Sequence, residues 1–367
     1  MYFDEQHKLQ LLVSAHMDDF KATGQMETLK WLHSILCKHF GQDVKMDIAK
    51  EFIHTGIKHT VIDDGNTITL DQIDYAASIK PINTAQLQKL KDDLALDETY
   101  QACYLTLLGA VAWLLQTRLD IVVYVSALQR HSHHTTSLHL KRLNRLVRHI
   151  QRHPQRLVYR SLPLPVALIA IGDSAYQAPA GPSGTQSTAD PLVMRGYIVA
   201  LAHYDEKQHA FQLQVLEYVG GKQNHVCRGV WSAELHNQCD MADMGVILLS
   251  FLEELRRGAL RAEDQRRLRE AGGYAMPLHM YTDSYSIFSY LKAQHLKFPA
   301  EKGTYFHLAY LRELLEAGIV RSINWCDTRD MVADGITKGS LDRTALTDVM
   351  RGVWRLKHAT EAHSEHA

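Results

Sequence analysis

Two apolar runs in the second half of the chain end on an acid, and they constrain the fold more than any other feature. Val166-Ala167-Leu168-Ile169-Ala170-Ile171-Gly172 closes on Asp173, and Leu278-His279-Met280-Tyr281-Thr282 closes on Asp283. A short, nearly continuous apolar run bounded by turn residues reads as a strand buried on both faces, which needs layers of helix above and below. Two further acids stand at comparable places. Glu234 opens a long apolar-periodic stretch, Trp231–Leu255, and Asp334 sits in Val332-Ala333-Asp334-Gly335-Ile336-Thr337-Lys338. Acids at the ends of neighbouring strands can converge, and converging like charges need a cation. Oxygen ligands without a Cys/His set point to Mg²⁺ or Mn²⁺, and a quartet of them to a two-ion phosphodiester site. The competing reading is that each acid is a turn or helix cap.

Around these acids the second half reads strand, loop, strand, strand, helix, strand, helix, helix, strand, helix. Val193–Ala202 and Ala210–Val219 flank the turn Tyr204-Asp205-Glu206-Lys207, and Ile319–Trp325 supplies the last strand. The loop Gln177–Pro191 is rich in Pro, Gly, Ser and Thr, and Arg256–Gly273 reads as a charged insert. Strands that are first antiparallel and then alternate with helices imply an α/β (α+β) fold with a mixed five-stranded sheet and flanking helices. Tyr285, Tyr290, Trp325 and Trp354 are expected in its core. The tail from His358 to Ala367 is polar and expected to be disordered.

The first half is organised differently. Lys8–Gly24 reads as strand, acidic turn at Asp18-Asp19, and return strand; Glu27–Phe40 has helical periodicity. Strand-like runs at Glu51–Ile62 and Thr67–Leu70 are joined by Asp63-Asp64-Gly65-Asn66, a hairpin signal. Helical patterns follow at Asp71–Ile79, Thr84–Leu94 and Tyr100–Leu115. A helix over Ser137–Arg152 carries an apolar stripe at Leu140, Leu143, Val147 and Ile150. Pro154, Pro163 and Pro165 mark a boundary after it.

Charge and cysteine content set the partners. The formal net charge of the 367-residue chain is -1, yet no Asp or Glu occurs between Ile121 and Gly172. Lys141, Arg142, Arg145, Arg148 and Arg152 fall in that stretch, as either a phosphate track or a solvated basic face. His131, His133, His134 and His139 cluster nearby but match no zinc-ligand spacing and read as a surface group. The five cysteines are scattered without a CxxC, which fits a reducing, intracellular compartment. No apolar run approaches the roughly 20 residues of a membrane span, so no membrane partner is expected.

The motifs resemble a known family. Asp173-Ser174-Ala175, Gly221-Lys222-Gln223, Ser232-Ala233-Glu234, Thr282-Asp283-Ser284 and Ala333–Lys338 resemble, in order, the signature stretches of the ribonuclease H domain of copia-type retrotransposons. His16-Met17-Asp18-Asp19 is similar to the Tyr-x-Asp-Asp hairpin of a reverse-transcriptase palm, with His16 in place of the tyrosine. Tyr104–Gly109 and Thr117-Arg118-Leu119-Asp120-Ile121 are similar to further motifs of that polymerase. The resemblance covers nearly the whole chain, and it is the shared order of short motifs that carries it. It implies the C-terminal part of a Pol polyprotein: a partial palm over 1–82, a helical connection over 83–160, and a ribonuclease H-like domain over 161–357.

Such a protein would cut the RNA strand of RNA–DNA hybrids using two Mg²⁺ or Mn²⁺ ions. The resemblance implies that Asp173 bridges both, with Glu234 and Asp283 on one and Asp334 on the other. Asp18 and Asp19 would be the remnant of the polymerase motif, and the basic helix would carry the hybrid between the two parts. With only seven residues ahead of the hairpin strand, no DNA synthesis is expected from this chain alone. The remainder of the polyprotein would be a partner, in a cytoplasmic virus-like particle or the nucleus. The alternative is a nucleic-acid-binding remnant without catalysis.

Overall fold

A computed structural model describes residues 1–17, 19–83, 91–177 and 192–365. Asp18, most of the helix expected at Thr84–Leu94, and nearly all of the Gln177–Pro191 loop lie outside these described residues.

The chain begins with a small antiparallel sheet, β1 (Tyr2–Phe3), β2 (Leu9–His16) and β3 (Asp19–Gly24), followed by α1 (Met26–Phe40). The expected hairpin forms, with His16 opposite Asp19. Helix α1 has no buried side chain among the described residues. A second antiparallel sheet contains β4 (Glu51–His54), β5 (Ile57–Ile62), β6 (Thr67–Asp71) and β7 (Leu157–Arg160). The run expected as one strand, Glu51–Ile62, is broken at Thr55-Gly56, where both residues have positive φ (51° and 74°) and the chain turns back on itself. Asp63-Asp64-Gly65 joins β5 to β6 as expected, with φ of 52°, 52° and 98°.

Among the described residues four α-helices separate β6 from β7: α2 (Ile73–Ser78), α3 (Glu98–Trp113), α4 (Val122–Gln129) and α5 (Ser137–Arg152). They share a core of Tyr104, Leu107, Val111, Val125, Leu140, Leu143, Val147 and Ile150. The Thr117–Ile121 motif is structural here. Arg118 and Asp120 are 3% and 4% exposed and form two hydrogen bonds of 2.8 Å, the bidentate geometry that a buried ion pair requires. Because β7 returns to pair with β6, the boundary expected at residue 82 falls inside one interleaved unit.

The large mixed sheet has seven strands among the described residues. They are β8 (Ala167–Gln177), β9 (Leu192–Asp205), β10 (Ala210–Lys222), β11 (Leu278–Thr282), β12 (Val320–Cys326), β13 (Val353–Arg355) and β14 (Thr360–His363). Their spatial order is β13-β10-β9-β8-β11-β12-β14. Strands β8, β11 and β12 are parallel to one another, and the remaining pairs are antiparallel. The five strands read from the sequence form the centre. The two additions are correct-length strands of three and four residues at the edges. The tail expected to be disordered therefore supplies β14. Asp330 holds it: its buried carboxylate accepts hydrogen bonds from the Lys357 and His358 backbone N–H groups at 2.8 and 2.7 Å.

Helices lie on both faces of this sheet, as its apolar strands demand. On one face Leu168, Ala170 and Val199 pack against α6 (Val230–Arg257), α8 (Tyr285–Lys292) and α9 (Tyr305–Glu316). Helix α7 (Ala262–Glu270) forms within the charged stretch after α6. On the other face Ile169, Ile171 and Ile198 meet α10 (Asp334–Thr337), α11 (Thr344–Met350) and Leu119 and Val122 from the helical region. Of the expected core aromatics, Trp354 is buried and stacks on Phe211, and Tyr290 and Trp325 are partly buried. Tyr285 is not in the core: it is 55% exposed at the start of α8, two residues after Asp283. Among the described residues no helix is long and apolar enough to cross a membrane.

Candidate metal centre

The site forms at the middle of the large sheet, where its two faces are approached most closely. Two glycines permit this. A Cβ on Gly172 would lie 2.9 Å from Asn237 Nδ2 and Met241 Sδ of α6, and one on Gly196 would lie 2.6 Å from Thr337 Cγ2 of α10. With no side chain at either position, both helices settle directly on the backbone of the two central strands. Asp173 follows Gly172 and pairs with Gly196 across the ladder. It is 1% exposed.

The register of the parallel pair brings in the second acid. Tyr281 of β11 lies opposite Ile171 of β8, so Asp283 and Asp173 each follow that pair by two residues and share its face. The third comes from the first turns of α6, whose side chains bond the strand end: Asn237 Nδ2 donates to the Asp173 carbonyl at 3.0 Å, and the Ser174 N–H donates to Glu234 Oε1 at 3.3 Å. Asp173, Glu234 and Asp283 thereby each place a carboxylate oxygen within 4.8 Å of the other two, the one such group among the described residues able to hold a metal ion.

Electrostatics fit a cation at this place. Burial, and then the Asp173 and Asp283 charges, hold the Glu234 carboxyl well above the usual range. Asp283, half-buried, is raised by the same two causes, burial and Asp173, with its hydrogen bond to Thr328 opposing. Glu234 Oε2 is buried and has no hydrogen-bond partner among the described residues. An unpaired carboxylate oxygen facing two other acids is costly in a folded protein unless a ligand completes it. Three carboxylates with no thiol or imidazole make a hard donor set, suited to Mg²⁺ or Mn²⁺.

Asp334, expected as the fourth ligand, stands beside this triad rather than in it. Its Oδ1 accepts from Lys338 Nζ at 2.6 Å, and the same ammonium lies 3.4 Å from Asp173 Oδ1. Thr337 Oγ1 donates to the other Asp173 oxygen. Burial and the nearby Asp173 charge push the Asp334 carboxyl up to about 7, against the pull of Lys338. Lys338 is itself raised, because the Asp173 and Asp334 charges outweigh its burial. Lysine and threonine were visible in the sequence only as the close of a motif; the i, i+4 spacing of Asp334 and Lys338 was the signal that could have paired them.

The other candidate residues lie elsewhere. Asp19 is exposed at the β2–β3 tip, with its Oδ2 3.1 Å from His54 Nδ1, and Asp18 lies outside the described residues. On α5, Lys141 is ion-paired with Asp92 at 2.9 Å. Arg142, Arg145, Arg148 and Arg152 are exposed on the face opposite the buried stripe of Leu140, Leu143, Val147 and Ile150. In the histidine group, His139 caps α5 by accepting from the Thr136 N–H at 3.1 Å, and its ring stacks on His131 at 4.0 Å. No protein-family model, curated protein or solved structure matches the chain.

Proposed function

We propose that this protein is a divalent-metal-dependent endonuclease that cuts RNA within RNA–DNA hybrids, on a ribonuclease H-like domain preceded by part of a copia-type reverse-transcriptase palm. The observation that carries the reading is the meeting of Asp173, Glu234 and Asp283, residues 110 positions apart at their extremes, in one buried cluster with an unpartnered oxygen. The order of the five central strands, with the Asp173 strand in the middle and parallel neighbours on one side only, agrees with it.

Asp173, Glu234 and Asp283 would hold one ion, and Asp173 with Asp334 a second. Bound Mg²⁺ or Mn²⁺ would neutralise the carboxylates, favour hydroxide at the scissile phosphate and stabilise the departing 3′ oxygen. The protein's own part is positional. The Ser174 N–H fixes the Glu234 carboxylate, and Asn237 ties the β8 and β9 backbones to α6 through the Asp173 and Gly196 carbonyls. The exposed arginines of α5 would grip phosphates without reading sequence, and selectivity for a hybrid would follow from its minor-groove shape and 2′-hydroxyls.

One observation favours the second reading, a nucleic-acid-binding remnant without catalysis: Lys338 already satisfies part of the Asp173 and Asp334 charge. An end-labelled RNA–DNA hybrid incubated with the protein and Mg²⁺, with and without EDTA, separates the two. Cleavage of the RNA strand that EDTA stops, and that Asp173→Asn lacks, is the expected result. Binding of the hybrid without cleavage in either Mg²⁺ or Mn²⁺ would leave only the remnant.

A further inference from the structure

We infer that Lys338 fills the second cation position of this centre, so that the protein without nucleic acid takes one divalent ion and admits another only when a phosphodiester draws the lysine away. The inference rests on the metal-dependent reading above and adds to it a residue and an order of events.

The geometry supports it from three sides. The Lys338 ammonium lies between Asp334 and Asp173, 2.6 Å from one carboxylate and 3.4 Å from the other. The remaining Asp173 oxygen accepts from Thr337 Oγ1, so both oxygens of the one residue expected to bridge two ions are engaged from the α10 side. The triad side is opposite in character: Glu234 Oε2 has no partner among the described residues. The centre thus has one half supplied with positive charge by the chain and one half lacking it.

An ammonium and a divalent ion cannot share the gap between Asp173 and Asp334. A divalent ion held by both carboxylates would stand where the Lys338 ammonium stands, and at separations of a few ångströms the two cations repel each other. One of them must leave, and Lys338 is built to. Its side chain is 35% exposed at the end of a four-carbon stem, and it follows the last residue of α10, so the head can swing outward while the helix stays seated on Gly196. A compact, strongly hydrated ammonium moving outward from a carboxylate pair needs another anion, and the substrate's phosphodiester is one. The lysine would then pass from internal countercharge to phosphate ligand. It acts as a positioning residue that links occupancy of the second position to the presence of substrate.

Counting bound ions tests this without any turnover. MnCl₂ is titrated into the full chain in the absence of nucleic acid, and bound Mn²⁺ is measured from the loss of the free-ion paramagnetic resonance signal. Wild type should bind one ion, Lys338→Arg one, and Lys338→Met two, the second at least about tenfold more tightly than wild type can take it. A 2′-O-methyl RNA–DNA hybrid added to wild type should raise its count to two. Two ions on free wild type, or one on folded Lys338→Met, would overturn the role of Lys338 and leave the metal centre standing. No ion on any of the three proteins would overturn the metal centre itself. Circular dichroism reports whether Lys338→Met folds; if it does not, Lys338→Gln, which keeps a polar head without the charge, replaces it under the same criteria.

Discussion

Two acidic strand ends in this molecule look alike in the sequence and differ in everything around them. At the β2–β3 tip, Asp19 stands two residues after Met17, which is 90% exposed, in a three-stranded sheet covered by a helix with no buried side chain among the described residues. Its carboxylate is 55% exposed and meets one histidine, His54, among the described residues. At the end of β8, Asp173 is 1% exposed, with α6 and α10 against the two sheet faces and a second acid-bearing strand alongside. A carboxylate after a strand is a turn residue by default. What converts it into a possible ligand is the number of other elements that converge on it and the water they remove.

The most severe way to break the contrast is Asp173→Asn. It should lower hybrid cleavage by roughly a thousandfold or more, as expected when a group shared by the whole centre is lost, while the circular dichroism spectrum is retained. A spectrum retained together with full cleavage would place the chemistry elsewhere. Replacing Arg142, Arg145 and Arg148 by Ala should flatten the salt dependence of hybrid binding by a slope of about 2–3, since each phosphate contact contributes roughly 0.9. An unchanged slope would make this helix face merely solvated. Gly196→Val should cost about 1–3 kcal/mol in urea unfolding by forcing Thr337 and Ile336 off β9, and should weaken Mn²⁺ binding as α10 moves.

The remaining two predictions concern the N-terminal region. His59 is buried on β5, and burial, then Lys21 and His54, lower its pKa to about 4. The folded state therefore refuses a proton that the unfolded chain accepts near 6.5. The stability this group contributes is complete above that pH and declines as the pH falls from about 6.5 to about 4. Hydrogen-exchange protection of β4–β6, taken relative to the intrinsic exchange rate at each pH, should fall over that interval, and His59→Gln should remove that fall. The smallest effect is expected of Asp19→Asn, which should leave hybrid cleavage within about twofold, because the tip stands apart from the buried cluster.

Much of this was legible from the residues, and the omissions share a cause. Helix α5 has the bounds its sequence implies, Ser137 to Arg152, because the apolar spacing at Leu140, Leu143, Val147 and Ile150 begins about one turn after Thr136, the N-cap residue. The central strands were visible because burial on both faces leaves no polar interruption. The turn at Thr55-Gly56 was not, since Phe52–Ile62 is apolar enough to read as continuous and a lone glycine is a weak signal. Strand β14 escaped because Thr360-Glu361-Ala362-His363 pairs with β12 through its backbone and buries none of its side chains deeply. The three triad carboxylates could be named from the sequence, but their company could not. Periodicity marks what is buried, and it is silent on which countercharge lies beside an acid; only the fold places Lys338 between Asp173 and Asp334.

The two short outer strands have an effect out of proportion to their length. β13 pairs with Ala210–Gln212 at one end of β10, and β14 pairs with Ile323–Cys326 of β12, so residues 353–363 place a short strand on each side of a five-stranded platform. Unpaired edges are templates for intermolecular pairing. Cutting the chain after Gly352 would bare both rims at once and turn each molecule into a two-ended building block, so self-association into filaments, rather than simple unfolding, is the hazard that these few residues hold off.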